Sequence, residues 1–265
     1  MARISKNDFD ALEGGSQTLA KGLLVLEAVA ANHHARGIRL VDICKDLNFN
    51  KTTAYRLVST LEHLGYVVKD PESERYHLGL KLLSLTSSLL ESFEVRSIAS
   101  PFLNELMLQT KQAVHLVVLD QEVCEVVYID KVDSPQPVRM YTTIGSRYPA
   151  NCTAAGKAIM AYLPSHVLNP MLNHLRASTP NSIISADQLR LELENVRVKG
   201  YSFDNEENVV GVVCIGAPIF NHLGKVIASI SISATLITIK PDEFLNLHPL
   251  VQEAAARVSQ KMGYR

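Results

Sequence analysis

Asn48-Phe49-Asn50-Lys51-Thr52-Thr53-Ala54-Tyr55-Arg56-Leu57-Val58-Ser59-Thr60-Leu61-Glu62-His63-Leu64-Gly65 is the stretch on which the fold turns. Asn48–Asn50 reads as a three-residue turn. Asn50 is suited to cap the helix after it, because its side-chain oxygen can accept a backbone N–H that a helix start leaves unpaired. At 100° per residue, Ala54, Leu57, Val58, Leu61 and Leu64 fall on one face, and Thr52, Arg56, Ser59 and His63 on the other. Gly65 ends the helix.

Upstream, Leu40, Ile43 and Leu47 predict a short helix whose N-cap, Arg39, is poor. Before it lies a polar loop, Asn32 to Gly37, in which His33-His34 reads as solvated. Leu19, Leu23, Leu26 and Val29 predict a first helix over about residues 18–30. Residues 1–15 read as a disordered tail. Downstream, residues 66–69 and 75–78 flank the turn Asp70-Pro71-Glu72-Ser73-Glu74 and predict a hairpin.

Two helices joined by a tight turn and followed by a hairpin give the order of a winged helix-turn-helix. The major groove of B-DNA admits one α-helix, whose outward face can read base edges. Here that face offers Lys51, Thr52, Thr53, Tyr55, Arg56 and Ser59. Arg56 can bond guanine bidentately, the hydroxyls can meet bases or phosphates, and Lys51 suits phosphate. Lys69 and Arg75 on the hairpin are candidates for the adjacent backbone. The same periodicity also fits an amphipathic helix with a solvated face, or a winged helix that binds protein rather than DNA.

Residues 1–80 hold ten Lys and Arg against ten Asp and Glu, and the whole chain has a net charge of −1. A bulk basic field is excluded, so any DNA contact must come from a few placed residues. The 265 residues are 47% hydrophobic, with no run long enough to span a membrane. No signal-peptide pattern opens the chain. Cys44, Cys124, Cys152 and Cys214 form no CxxC pair, which fits free thiols in the cytoplasm and predicts no metal site. Neither a phosphate-binding loop nor a dinucleotide fingerprint is present, so no cofactor and no enzymatic activity are expected. The alternative is a thiol-dependent small-molecule enzyme using Cys214, with Asp204 or a histidine as base.

Beyond Gly79, Leu82, Leu85, Leu89 and Leu90 continue a helical pattern, and Pro101 predicts a new helical start or a kink. Strands are predicted at Ala113–Asp120, Cys124–Lys131, Val138–Thr143, Val212–Phe220 and Lys225–Ala234. Helices are predicted at Thr153–Leu163, Ala186–Lys199 and Pro241–Met262. Hairpin-linked strands with helices between them point to α+β with an antiparallel sheet. Thr153 is a fair N-cap, and the small Ala154 and Ala155 would let an anion approach the helix start. On the last strand Ser229, Ser231 and Ser233 share a face, as do Cys214 and Gly216 on the strand before it. Asp204 is a candidate acceptor for ligand hydroxyls. A solvated serine face, with Cys214 as filler, explains the same pattern.

Taken in order, several stretches resemble the IclR family of bacterial transcriptional regulators. They are residues 16–23, 50–57, Leu64-Gly65-Tyr66-Val67, Tyr76-His77-Leu78-Gly79, Gly145, the run Thr153-Ala154-Ala155-Gly156-Lys157-Ala158, residues 200–207 and residues 214–220. The resemblance covers nearly the whole chain from residue 16. It implies a winged helix-turn-helix over residues 16–79, a linker helix over 80–95 and a GAF-like, antiparallel-sheet effector domain over 96–265. It also implies that Ala154, Ala155, Asp204, Cys214, Ser231 and Ser233 line an effector pocket. The expected effector is a small organic acid bearing hydroxyl or keto groups, since residues 138–145 resemble those of sugar-acid-responsive members. The expected assembly is a homodimer or a dimer of dimers on a double-stranded operator, more often repressing than activating.

Overall fold

The computed structural model describes residues 15–32, 36–91 and 93–264. The expected tail, apart from residue 15, and the His33-His34 loop lie outside these residues. The chain divides into two compact units, Met1–Ser92 and Phe93–Arg265. Among the described residues no helix is long and apolar enough to cross a membrane.

The first unit is built from α1 (Gln17–Ala31), α2 (Leu40–Leu47), α3 (Lys51–His63), the hairpin β1 (Val67–Lys69) and β2 (Tyr76–Leu78), and α4 (Lys81–Glu91). Asn50 caps α3, its Oδ1 accepting from Thr53 N at 2.8 Å. Asn48 takes the left-handed conformation that turns the chain between α2 and α3. Arg39 makes no side-chain cap bond. One core joins Val25, Val29, Ile38, Ile43, Ala54, Val58, Val67 and Tyr76. Three expected core positions are corrected. Leu19 and Leu23 of α1, and Leu64 after α3, are exposed. The apolar run Leu23-Leu24-Val25-Leu26 lets two neighbouring stripes compete, and Leu24, Val25 and Val29 are the buried ones. Ile38 bridges Tyr76 and adds a third short partner to the hairpin.

The second unit carries one antiparallel sheet of order β5-β4-β3-β8-β7-β6. Its strands are β3 (Ala113–Asp120), β4 (Glu125–Val132), β5 (Arg147–Pro149), β6 (Ser202–Asn205), β7 (Val212–Phe220) and β8 (Val226–Thr235). The helices are α5 (Glu94–Thr110), α6 (Ala154–Met160), α7 (Ser165–Met171), α8 (Ala186–Lys199), α9 (Pro241–Leu245) and α10 (His248–Lys261). Helices α5 and α10 pack on one face and α6 on the other, so β7 and β8 are buried on both.

Three expectations for this unit fail. Pro101 starts no helix, because α5 begins at Glu94 and runs through it. Pro101 and Ser97, whose carbonyl it leaves without a helical donor, are both exposed, so water can satisfy that group. Val138–Thr143 forms no strand, and the strand that pairs with β4 is instead β5, along Glu125–Val127. The last helix is two, because Pro249 near the start of α10 supplies a second helical beginning.

Candidate functional site

Two surfaces gather the residues singled out by the sequence. On the first unit, Lys51, Thr52, Tyr55 and Arg56 of α3 are exposed, while Thr53 and Ser59 are half-buried. Ala54 and Val58 anchor the opposite face. Among the described residues neither Lys51 nor Arg56 commits its side-chain cation to a hydrogen bond or ion pair. The hairpin cations differ. Lys69 pairs with Glu74 at 3.0 Å in solvent, a bond worth little. Arg75 donates to the Gly37 carbonyl at 2.8 Å and thereby ties the hairpin to the loop before α2.

In the second unit, cross-strand partners place the expected residues in rows on the α6 face of the sheet. One row runs Ala113, Ser233, Cys214, Asp204 across β3, β8, β7 and β6. The next runs Lys131, His115, Ser231, Gly216, Ser202 from β4 to β6. Gly216 has a steric reason. A Cβ there would lie 2.8 Å from the Ala154 backbone and 2.9 Å from Ala155 N, so only glycine lets α6 settle on the sheet. Ser202 Oγ donates to the Ala154 carbonyl at 2.5 Å and fastens the same junction.

Ala154, Asp204, Cys214, Ser231 and Ser233 are thus brought onto one face, all buried. The serine face is not solvated. Cys214 Sγ lies 3.2 Å from Ser233 Oγ, and Ala154 and Cys214 share a small apolar cluster with Val212 and Met140. Ala155, also buried, belongs to a different core cluster, with Tyr128 and Ile159. Ser229 spends its hydroxyl on the Ala217 carbonyl at 3.0 Å. Asp204 is only half available, since its Oδ1 accepts from Glu207 N at 2.7 Å. Thr153 caps α6 as expected, accepting from Gly156 N at 3.0 Å. With only seven residues in α6, the helix dipole offers an anion less than the sequence implied.

Burial, followed by the charge of Glu207, raises the Asp204 carboxyl to about 7. Burial, followed by Asp204, pushes the Cys214 thiol well above its ordinary range. A nucleophilic cysteine needs the opposite, so this thiol is not activated.

Four residues of this face escaped the sequence reading as site residues. His115 is buried on β3, with Nε2 2.9 Å from Thr142 Oγ1 and its ring edge against Tyr128. Lys157 is buried on α6 and donates to Glu207 Oε1 and to the Phe203 carbonyl, each at 2.6 Å. The available signal was a lone polar residue inside an apolar run: His115 in Ala-Val-His-Leu-Val, and Lys157 in Ala-Ala-Gly-Lys-Ala-Ile. Nothing comparable marked Thr142 or Glu207.

Both units match known families. Residues 18–71 match the IclR helix-turn-helix domain, and residues 87–260 match the family described as bacterial transcriptional regulator IclR C-terminal. The HTH-type transcriptional regulator XynR of Escherichia coli (strain K12) is 33% identical over 94% of this chain and 98% of its own. The HTH-type transcriptional repressor AllR of Klebsiella pneumoniae is 30% identical over 95% and 92%. The crystal structure of the Thermotoga maritima IclR aligns with a TM-score of 0.77 at 34% identity, covering 93% of this chain and 99% of that one.

Proposed function

The chain belongs to the IclR family of bacterial transcriptional regulators, and from that premise we propose that it is a repressor released or engaged by a small hydroxy, keto or sugar acid. In this reading, residues 16–79 are the reading head, 80–95 the linker and 96–265 the sensing domain. Lys51, Thr52, Thr53, Tyr55, Arg56 and Ser59 touch the operator of a catabolic operon. Ala154, Ala155, Asp204, Cys214, Ser231 and Ser233 line the effector site. The name of the similar AllR, a repressor, favours repression. Two-fold assembly, as a homodimer or a dimer of dimers, supplies the second reading head that a nearly neutral DNA-binding unit needs. The exposed Leu80, Leu83 and Leu85 around α4 suit that assembly.

The observation that carries the sensing role is the buried polar row Asp204, Cys214, Ser233 with Ser231 beside it. Buried polar groups are costly unless partnered, and a small oxygen-rich acid offers partners of the right kind. A ligand can shift operator affinity only by binding two conformations unequally.

One experiment tests both halves. A duplex selected from random DNA by the wild-type protein is titrated by fluorescence anisotropy, with and without candidate acids. Arg56→Ala is expected to abolish specific binding, leaving the circular dichroism melt unchanged. The pair Ser231→Ala and Ser233→Ala is expected to keep DNA affinity and blunt the response to acid. Operator affinity unchanged in Arg56→Ala would sink the reading-head assignment.

A further inference from the structure

Among the described residues two buried side-chain atoms have no hydrogen-bond partner, His115 Nδ1 and Glu207 Oε2. His115 is 1% exposed and stands directly across from Ser231, on the polar face of the sheet. Its other nitrogen is taken by Thr142, itself buried. Thr142 belongs to the segment between β4 and β5, residues 133–146. Ser134 Oγ ties one end of that segment to the Lys111 carbonyl at 2.7 Å, and Gly145 N ties the other to the Tyr128 carbonyl at 2.7 Å. Between these ties Met140 packs on Ala154, Val212 and Cys214. The imidazole therefore links the polar face to the strap beside it.

Burial, and then the charge of Lys131, lower the His115 pKa to about 4. A neutral imidazole carries one N–H and one bare nitrogen, so its two hydrogen bonds are interlocked. If Nδ1 donates, Nε2 must accept, and the Thr142 hydroxyl must be the donor. A carboxylate can only accept, so it selects that tautomer. The hydroxyls of Ser231 and Ser233 can donate or accept, but among the described residues His115 Nδ1 is the nitrogen of this face left without a partner inside the protein, and it can hold its N–H toward an anion.

We infer that His115 is a specificity-determining residue which donates Nδ1–H to the carboxylate of the effector and passes occupancy to residues 133–146 through Thr142. This rests on the effector reading above and names the group that recognises the acid.

The test uses full-length protein labelled with 15N-histidine, with pyruvate and D-gluconate as probes. An acid that binds is expected to move the His115 Nδ1 resonance to its protonated, N–H-bearing value. His115→Gln, whose amide nitrogen stands in for Nε2, is expected to weaken binding at least tenfold by calorimetry while keeping slow hydrogen exchange over residues 140–146. His115→Asn, whose amide nitrogen stands in for Nδ1, is expected to hold affinity within about threefold of wild type and to quicken that exchange. The nitrogen resonances of the wild type need no variant to fold. An acid that binds, is blunted by Ser231→Ala and leaves the His115 resonances unmoved overturns this inference and spares the effector reading. If neither acid binds the wild type, the effector reading fails for these classes and the inference falls with it.

Discussion

Lys157 is the residue whose surroundings say most about how the sensing unit holds together. Its ammonium is almost wholly buried and bonds Glu207, the Phe203 carbonyl and, at 3.2 Å, Glu192. Those bonds join α6 to the β6–β7 turn and to α8. The turn also sets Asp204, because Asp204 Oδ1 accepts from Glu207 N. Burial raises the Glu207 carboxyl more than Lys157 lowers it, so desolvation is the larger effect at this pair. Breaking one side of such a pair strands a charge, whereas replacing both sides with apolar groups of similar volume often costs little. Lys157→Met is therefore expected to cost about 3–5 kcal/mol in urea unfolding. The double variant Lys157→Met with Glu207→Leu is expected to recover most of that loss. A double variant as unstable as the single would show that the stabilisation comes from the Phe203 and Glu192 bonds instead.

Elements were legible where a cap and a period agreed. In α3, Asn50 and the Ala54–Leu57–Val58–Leu61 stripe point to one helix, and α8 spans Ala186–Lys199 as the sequence implied. In α1 the helix was clear from its period and the buried stripe was not, because four consecutive apolar residues satisfy two phases of that period. The short β5 and β6 and the helix α7 give too few residues for any period, and their existence depends on neighbours distant in sequence. The site divides the same way. Strand alternation put Ser231 with Ser233, and Cys214 with Gly216, and only the family resemblance joined the two sets. His115 meets Thr142, and Lys157 meets Glu207, through folding that joins positions 27 and 50 residues apart. The cap of α3 gives a direct check. Asn50→Ala is expected to cost about 1 kcal/mol, and Asn50→Gly a few tenths, by loss of the Thr53 bond. Equal melting temperatures for wild type and Asn50→Ala would show that the cap contributes nothing.

At the scale of the whole molecule, a net charge of −1 makes pH dependence a matter of a few buried groups rather than of overall repulsion. Two of them, both in the sensing unit, pull in opposite directions. Unfolded, His115 takes up a proton below about 6.5, but folded it stays neutral down to about 4. The unfolded state then holds the extra proton between those limits, so stability rises with pH across that window. Asp204 reverses the balance. Its folded carboxyl keeps a proton up to about 7, whereas the unfolded one loses it near 3.8. Here the folded state holds the extra proton, and stability falls as pH rises from about 4 to about 7. The raised Glu207 carboxyl acts in the same direction as Asp204. From about 4 to 6.5 the histidine and Asp204 offset each other, and from 6.5 to about 7 only Asp204 remains of the two. Unfolding free energies from urea titrations between pH 4.5 and 8 separate the two contributions. Asp204→Asn keeps an oxygen for Glu207 N and removes the falling contribution, so its stability is expected to climb more steeply with pH than that of wild type. His115→Asn removes the rising contribution, worth about 3 kcal/mol over the full window, so its stability is expected to decline with pH where wild type is nearly level. Parallel curves for wild type and Asp204→Asn would mean that Asp204 ionises in the folded protein as it does in water.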